Sequence, residues 1–255
     1  MKKNNIQTAD NKSFAAITEI FNSLMELLRN KYLYFGLLTL AAGAALNLAS
    51  QTYLHNYMSE GKTLPMLSDL ILDNIPYMEV SLIYDLFCLF PIVLVMIYTV
   101  HKKEYDRLPF FFVLSGIFYI IRGAFIVLTP FGNPPMFTGS DDLFNGFSKY
   151  ELGVYPSGHT GNVFLMYLIV KDKFYKRLIL TCAIIVIAAL FLSRGHYSID
   201  ILSGLVFSYA IRSYGEKHLM MFAGGSSKRQ KEVALSGHPV VLRSREEKEK
   251  VRREA

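Results

Sequence analysis

Apolar residues in this chain of 255 residues gather into long blocks, and no strand-like alternation runs through it. A helix that crosses about 30 Å of hydrocarbon needs about 20 largely apolar residues, because each adds about 1.5 Å. Six segments qualify. The first runs from about Tyr32 to Leu54, the second from about Val80 to Val100, and the third from about Leu108 to Pro130. The fourth, from about Pro156 to Val170, is short and polar at its start. The fifth runs from about Leu178 to Ser193 and the sixth from about Tyr197 to Tyr214. The pattern predicts an all-α integral membrane protein with six transmembrane helices.

Lysine and arginine in the connecting loops set the expected orientation. Lys2, Lys3, Lys12, Arg29 and Lys31 precede the first span. Lys102, Lys103 and Arg107 lie between spans two and three, and Lys171, Lys173, Lys176 and Arg177 between four and five. The alternate loops hold Lys62 alone and Lys149 alone. Both termini are therefore expected in the cytoplasm, and the loop from Phe131 to Tyr155 on the extracytoplasmic side.

The flanks read differently. Phe14, Ile17, Ile20, Phe21, Leu24, Leu27 and Leu28 recur at three- and four-residue intervals, a stripe whose opposite face is too polar to span. It predicts an N-terminal amphipathic helix lying in the membrane interface; packing on another protein is the alternative. The N-terminus lacks a small-residue cleavage site and is not read as a signal peptide. After Phe222 a Gly-Gly-Ser-Ser linker opens a charged tail, expected to be a solvated helix or disorder and in part an expression remnant. The chain thus divides into a cytoplasmic segment 1–30 with the interfacial helix, a membrane domain 31–222 and a cytoplasmic tail 223–255. No inverted repeat of the transporter kind is visible.

Composition agrees with a lipid solvent. The chain is 52% hydrophobic and 19% charged, with a mean hydropathy of +0.28, against about 25% charged in soluble domains. Disordered, collagen-like and coiled-coil classes are excluded. The net charge of +6 owes most of its excess to residues 224–255, so it does not point to nucleic acid. Cys88 and Cys182 fall inside apolar blocks and imply no disulfide framework.

Ionisable groups within spans are expensive unless paired or wet, which makes each a functional candidate. Arg122 lies in span three, Pro156-Ser157-Gly158-His159-Thr160 opens span four, and Ser193-Arg194-Gly195-His196-Tyr197-Ser198-Ile199-Asp200 joins spans five and six. The expected topology places all of them toward the extracytoplasmic side. His196 and Asp200 have the spacing of one helix face. A carboxylate on one ring nitrogen fixes the tautomer and leaves the other nitrogen as nucleophile or base. Ser157 and Gly158 stand where free backbone N–H groups can receive phosphate oxygens, and Arg122 and Arg194 offer guanidinium forks for phosphate. Arg122 has a second reading, as a bridge to Asp85 in span two. Two imidazoles with arginines suggest phosphoryl transfer, one ring attacking phosphorus and the other protonating the leaving oxygen. His159, His196 and Asp200 are also of types that zinc accepts; no metal and no cofactor is assigned. Ser236-Gly237-His238 repeats the tripeptide in the polar tail and shows how little it specifies alone.

The Pro-Ser-Gly-His of 156–159 and the His-Tyr-x-x-Asp of 196–200 resemble the second and third motifs of the phosphatidic acid phosphatase type 2 superfamily. Ser-Gly-His-Thr followed by His-Tyr-Ser-Ile-Asp is more similar to its sphingomyelin synthase branch, as is Arg122 with Thr129-Pro130. The resemblance covers about residues 80–215. It implies that His196 forms a phosphohistidine, that Asp200 orients it, that His159 is the acid/base and that no metal is needed. The superfamily's first motif has no counterpart, since no Arg-Pro pair occurs, and only Gly195 separates Arg194 from His196. Glu151-Leu152-Gly153 stands where the synthases have Cys-Gly-Asp.

The expected function is a membrane enzyme that moves a phosphorylated head group, or phosphate, from a lipid. The acceptor is a lipid alcohol such as ceramide or diacylglycerol, or water, as in the lipid phosphate phosphatases. A non-enzymatic scramblase, transporter or scaffold is the contrasting class.

Overall fold

The computed structural model describes residues 18–137 and 152–223. Phe14, Ile17, Lys149, Glu151 and the tail from residue 224, on which several expectations fall, lie outside them. The described residues form helices and loops with no strand: α1 (18–28), α2 (Lys31–Ser59), α3 (Ser81–His101), α4 (Leu108–Leu128), α5 (Gly158–Ile169), α6 (Lys173–Leu192) and α7 (Ser198–His218). Short 3₁₀ turns cover Leu72–Asn74, Tyr105–Arg107 and Met220–Ala223.

Four stretches among the described residues are long and apolar enough to cross a membrane: Lys31–Ser59, Ser81–His101, Tyr105–Leu128 and Lys173–Leu192. Large apolar side chains such as Leu38, Phe90, Val93 and Ile184 point outward from them, while Asn47, Gln51, Asp85 and Arg122 are buried between them. That inversion of the soluble pattern fits a hydrocarbon surround. The segments expected as spans four and six fall outside this set. α5 has 12 residues, about 18 Å of helix at the standard rise, short of the hydrocarbon thickness. α7 has 21 residues but carries Asp200, Ser203, Ser208, Arg212 and Glu216, which lower its hydropathy. In α1, Leu27 is buried while Ile20, Phe21, Leu24 and Leu28 are exposed, and Glu19 pairs with Lys103 of the α3–α4 turn at 2.5 Å.

The helices pack in pairs, α2 on α4 and α3 on α6, with α5 between α6 and α7. Small residues let α2 and α4 approach closely. A Cβ on Gly43 would stand 2.6 Å from the Gly116 carbonyl oxygen, and one on Gly116 would stand 2.5 Å from the Thr39 backbone. Lipid offers no hydrophobic drive between helices, so van der Waals contact of this kind supplies much of the association. The helix starts are set by local chemistry. Asn30 accepts from the Tyr32 amide at 3.0 Å, and Asp172 accepts from the Phe174 and Tyr175 amides at 2.9 and 3.3 Å, each satisfying N–H groups that a helix start leaves open.

Candidate active site

Two polar segments meet at one end of the bundle. The first is the start of α5. Ser157 precedes it and accepts from the Thr160 amide through Oγ at 3.2 Å. The Ser157 amide in turn donates to the Asp200 carbonyl at 3.0 Å, and Ser208 donates to the Gly161 carbonyl at 2.6 Å. A Cβ on Gly204 would lie 2.9 Å from the Ser157 carbonyl oxygen, so only glycine permits this approach of α7. The second segment is the α6–α7 connection. Arg194 adopts φ +55° and the Gly195 amide returns to the Leu190 carbonyl at 2.9 Å. Asp200, in the first turn of α7, accepts from the Tyr197 amide at 2.9 Å, which closes the helix start over His196.

This stitching brings His159, His196 and Asp200 together. His196 Nδ1 lies 3.3 Å from Asp200 Oδ2, and His196 Nε2 lies 3.4 Å from His159 Nδ1. On its far side His159 Nε2 stands 3.6 Å from Asp85 Oδ1, an ion-pair distance. The four groups form a row of carboxylate, imidazole, imidazole and carboxylate drawn from α3, α5 and the start of α7. The protons along it can be assigned. With Asp200 accepting from His196 Nδ1–H, His196 Nε2 is left with its lone pair and accepts from His159 Nδ1–H. The row therefore suits the His196 tautomer whose Nε2 lone pair faces His159, with Asp85 on the far side of that second ring.

Residues 155–217 match the family model described as PAP2 superfamily C-terminal. The matched segment contains both histidines and Asp200. No curated protein matches the chain. Members of this superfamily are phosphatases and phosphotransferases acting on phosphoesters, in keeping with a pair of imidazoles at the end of a membrane bundle.

Environment separates the two rings. The His196 side chain is 5% exposed and that of His159 is 37% exposed, and the edge of Tyr84 packs on His159 with ring centroids 5.1 Å apart. Burial holds the His196 imidazole below the ordinary histidine range; the hydrogen bond it donates to Asp200 pulls the other way without reversing it. A neutral imidazole with a lone pair is the form that can attack.

Ser157 and Gly158 sit at the N-terminus of α5, immediately before His159. The arginines are engaged otherwise. Arg122 donates from Nε to the Pro156 carbonyl at 3.0 Å, from Nη2 to the Gly153 carbonyl at 2.8 Å, and from Nη1 to Asn47 Oδ1. It ties α2 and the segment before α5 to α4, and its partner is not Asp85. Arg194 reaches the other way, donating to the Leu72 carbonyl at 3.0 Å. Among the described residues no group of three or more His, Cys, Asp and Glu is arranged to hold a metal ion.

The α2–α3 loop closes the rim of the site. The Met78 amide donates to the Leu192 carbonyl at 2.9 Å and the Leu67 amide to the Tyr197 hydroxyl at 3.1 Å. Asp69 accepts from the Ser198 amide at 2.5 Å, and also from the Ile71 and Leu72 amides. Burial raises the Asp69 carboxyl, but these hydrogen bonds outweigh it and leave the group below its usual range. Asp85 and Asp69 are the two site residues whose parts sequence reasoning missed. Asp85 carries a signal, a carboxylate inside an apolar span. Asp69 sits in a polar loop and carries none.

Proposed function

We propose that this protein is a membrane lipid phosphotransferase or phosphohydrolase that works through a phosphohistidine on His196. The observation that carries the reading is the 3.4 Å approach of His159 Nδ1 to His196 Nε2, with Asp200 on the other nitrogen of His196. His196 Nε2 attacks the phosphorus of a lipid phosphoester, and the bond from phosphorus to the leaving oxygen breaks. His159 donates the proton that this oxygen takes up. Water or a lipid alcohol then attacks the phosphohistidine and gives its proton to His159, and cleavage of the P–N bond restores His196. Asp200 holds one tautomer and steadies the positive charge that builds on the His196 ring. Asp85 steadies protonated His159. The Gly158 and His159 amides at the start of α5, where a helix leaves N–H groups open, receive phosphate oxygens.

In this reading the fold is the six-span bundle, with α5 and α7 as the two short or polar crossings beside the four apolar ones. Both termini lie in the cytoplasm and the site opens on the extracytoplasmic side, as the Lys/Arg distribution asks. The branch is sphingomyelin synthase-like, with ceramide or diacylglycerol as acceptor; hydrolysis to water shares the same phosphoenzyme and is the alternative outcome.

The test is purified protein in lipid nanodiscs, given a panel of labelled phospholipids and lipid phosphates with and without an acceptor alcohol, with products followed by mass spectrometry. Conversion that disappears in His196→Ala supports the reading. A head group appearing on the added alcohol selects transfer, and phosphate or phospho-head group released to water selects hydrolysis. No conversion of any lipid phosphoester overturns it.

A further inference from the structure

At the end of the bundle away from the histidines, a cavity of about 440 Å³ opens among the start of α4, the end of α5, the first turn of α6 and the last turns of α7. It owes its existence to the shortness of α5. That helix stops at Ile169 after 12 residues, whereas α4, α6 and α7 have 21, 20 and 21, so a recess remains beneath its last turn. Twelve residues of α7 separate Asp200 from Arg212, about 18 Å of helix. The recess is therefore a separate site.

Four cations line it: Arg107, Lys171, Lys176 and Arg212, with Glu216 as the only acidic lining residue among those described. Arg107 pairs with Glu104 at 3.1 Å and Arg212 with Glu216 at 2.7 Å. Lys171 and Lys176 have no carboxylate within ion-pair distance among the described residues. The nearest acidic residue in sequence, Asp172, is taken by Lys102 at 2.9 Å and by the amides of α6. The recess thus keeps a surplus of two positive charges. Lys176 lies over the Tyr167 ring, 4.7 Å from its centroid, a contact that leaves its charge uncompensated. Lysines that only set topology need no cavity between them.

We propose that this recess is a binding site for a phosphomonoester dianion, distinct from the catalytic pair. A phosphomonoester carries about −1.5 to −2 at neutral pH and presents three acceptor oxygens, which match the surplus of two charges. Lys171 and Lys176 supply that charge at the mouth of the recess. Phosphatidate in the adjoining leaflet and free inorganic phosphate share this chemistry.

The experiment uses full-length protein carrying His196→Ala, so that nothing is turned over. Nanodiscs of phosphatidylcholine with a few per cent phosphatidate report lipid binding by native mass spectrometry, and phosphatidylcholine nanodiscs titrated with inorganic phosphate report the soluble arm by calorimetry. Binding in either arm that falls at least tenfold in Lys171→Gln/Lys176→Gln supports the proposal, and the arm that responds names the source. The lysine pair, on exposed or half-exposed positions, guards against a folding failure. Binding unchanged in the lysine double variant, no binding in either arm, or binding abolished by His159→Ala instead, overturns it.

Discussion

His159 Nδ1 and His196 Nε2 stand 3.4 Å apart, within reach of one shared hydrogen bond. Asp200 faces the outer nitrogen of His196 and Asp85 faces that of His159, so each ring has its own carboxylate. The difference in burial breaks the symmetry. His196 is enclosed, whereas His159 is more than a third exposed.

Removing each ring should therefore have a different signature. His196→Ala is expected to abolish turnover together with any acid-labile phosphoprotein. His159→Ala should slow a lipid alkoxide leaving group far more than an activated one such as nitrophenolate, because an acid matters only where the leaving oxygen needs a proton. Parallel rate measurements on the two substrate types check this. Full activity in His196→Ala would remove His196 from the mechanism.

The pH profile follows from the burial of His196. Its folded-state pKa lies below the ordinary value of about 6.5, so the neutral, attacking form persists to lower pH than a free histidine allows. The acidic limb of kcat/KM, which reports the free enzyme, should fall only below pH of about 6.5. The same sign applies to stability. A depressed pKa means that the unfolded chain binds the proton more readily, so the His196 contribution is complete above about pH 6.5 and is lost as pH falls through the folded value. Thermal unfolding in detergent across pH 4–8 should show this loss in the native protein and less of it in His196→Ala.

Much of this was legible in the chain itself, for reasons that differ by element. The apolar runs of α2, α3, α4 and α6 are visible because lipid demands length and hydropathy together. α5 and α7 are harder to read: α5 is enclosed by its neighbours and can be short, while α7 carries Asp200, Ser203 and Ser208 on a buried face and Leu202, Val206 and Tyr209 on an exposed one. The histidines and Asp200 were visible because each belongs to a short local pattern. The engagement of Arg122 was not, since its acceptors Asn47, Gly153 and Pro156 come from distant parts of the chain and two of them are main-chain carbonyls. Asp85 was visible as a carboxylate in a span, but only the packing of α3 against α5 sets it beside His159.

The two carboxylates should separate in the same way as the two rings. Asp200→Asn leaves the helix start intact but no longer enforces one tautomer or balances charge on His196, and comparable carboxylate–histidine pairs lose about 10⁴ in kcat. Every substrate should suffer equally. Asp85→Asn should instead act through His159, slowing poor leaving groups and sparing activated ones. Exhaustive chelation should leave the native rate unchanged; loss on chelation with recovery on Zn²⁺ would recast these side chains as ligands of a metal that activates water.

Topology is checked by side-specific labelling. In a background with Cys88 and Cys182 replaced by alanine, single cysteines at Lys62 and Lys173, both exposed, should react with an impermeant maleimide from opposite faces of oriented vesicles. Lys62 lies in a Lys/Arg-poor loop and Lys173 opens α6 beside a Lys/Arg-rich one, so the positive-inside rule predicts that Lys173 labels from the cytoplasmic face. Labelling of both from one face would end the six-span arrangement and the extracytoplasmic site with it.

Arg122 tests whether a motif arginine binds phosphate or builds the site. Its bonds run to Asn47 and to the carbonyls of Pro156 and Gly153, and they anchor the segment that delivers Ser157 and His159. Hydrogen bonds that involve a charged group are worth about 1.5–3 kcal/mol each, so Arg122→Ala should lower the melting temperature in detergent well before any question of rate arises. Arg122→Lys keeps the charge but loses the planar fork that reaches three acceptors at once, and it too should melt early. A phosphate ligand would behave differently: Arg122→Lys would melt like the native protein while KM for the lipid phosphoester rose. That second pattern would return Arg122 to the phosphate site and require its guanidinium to leave the Gly153 and Pro156 carbonyls when substrate binds.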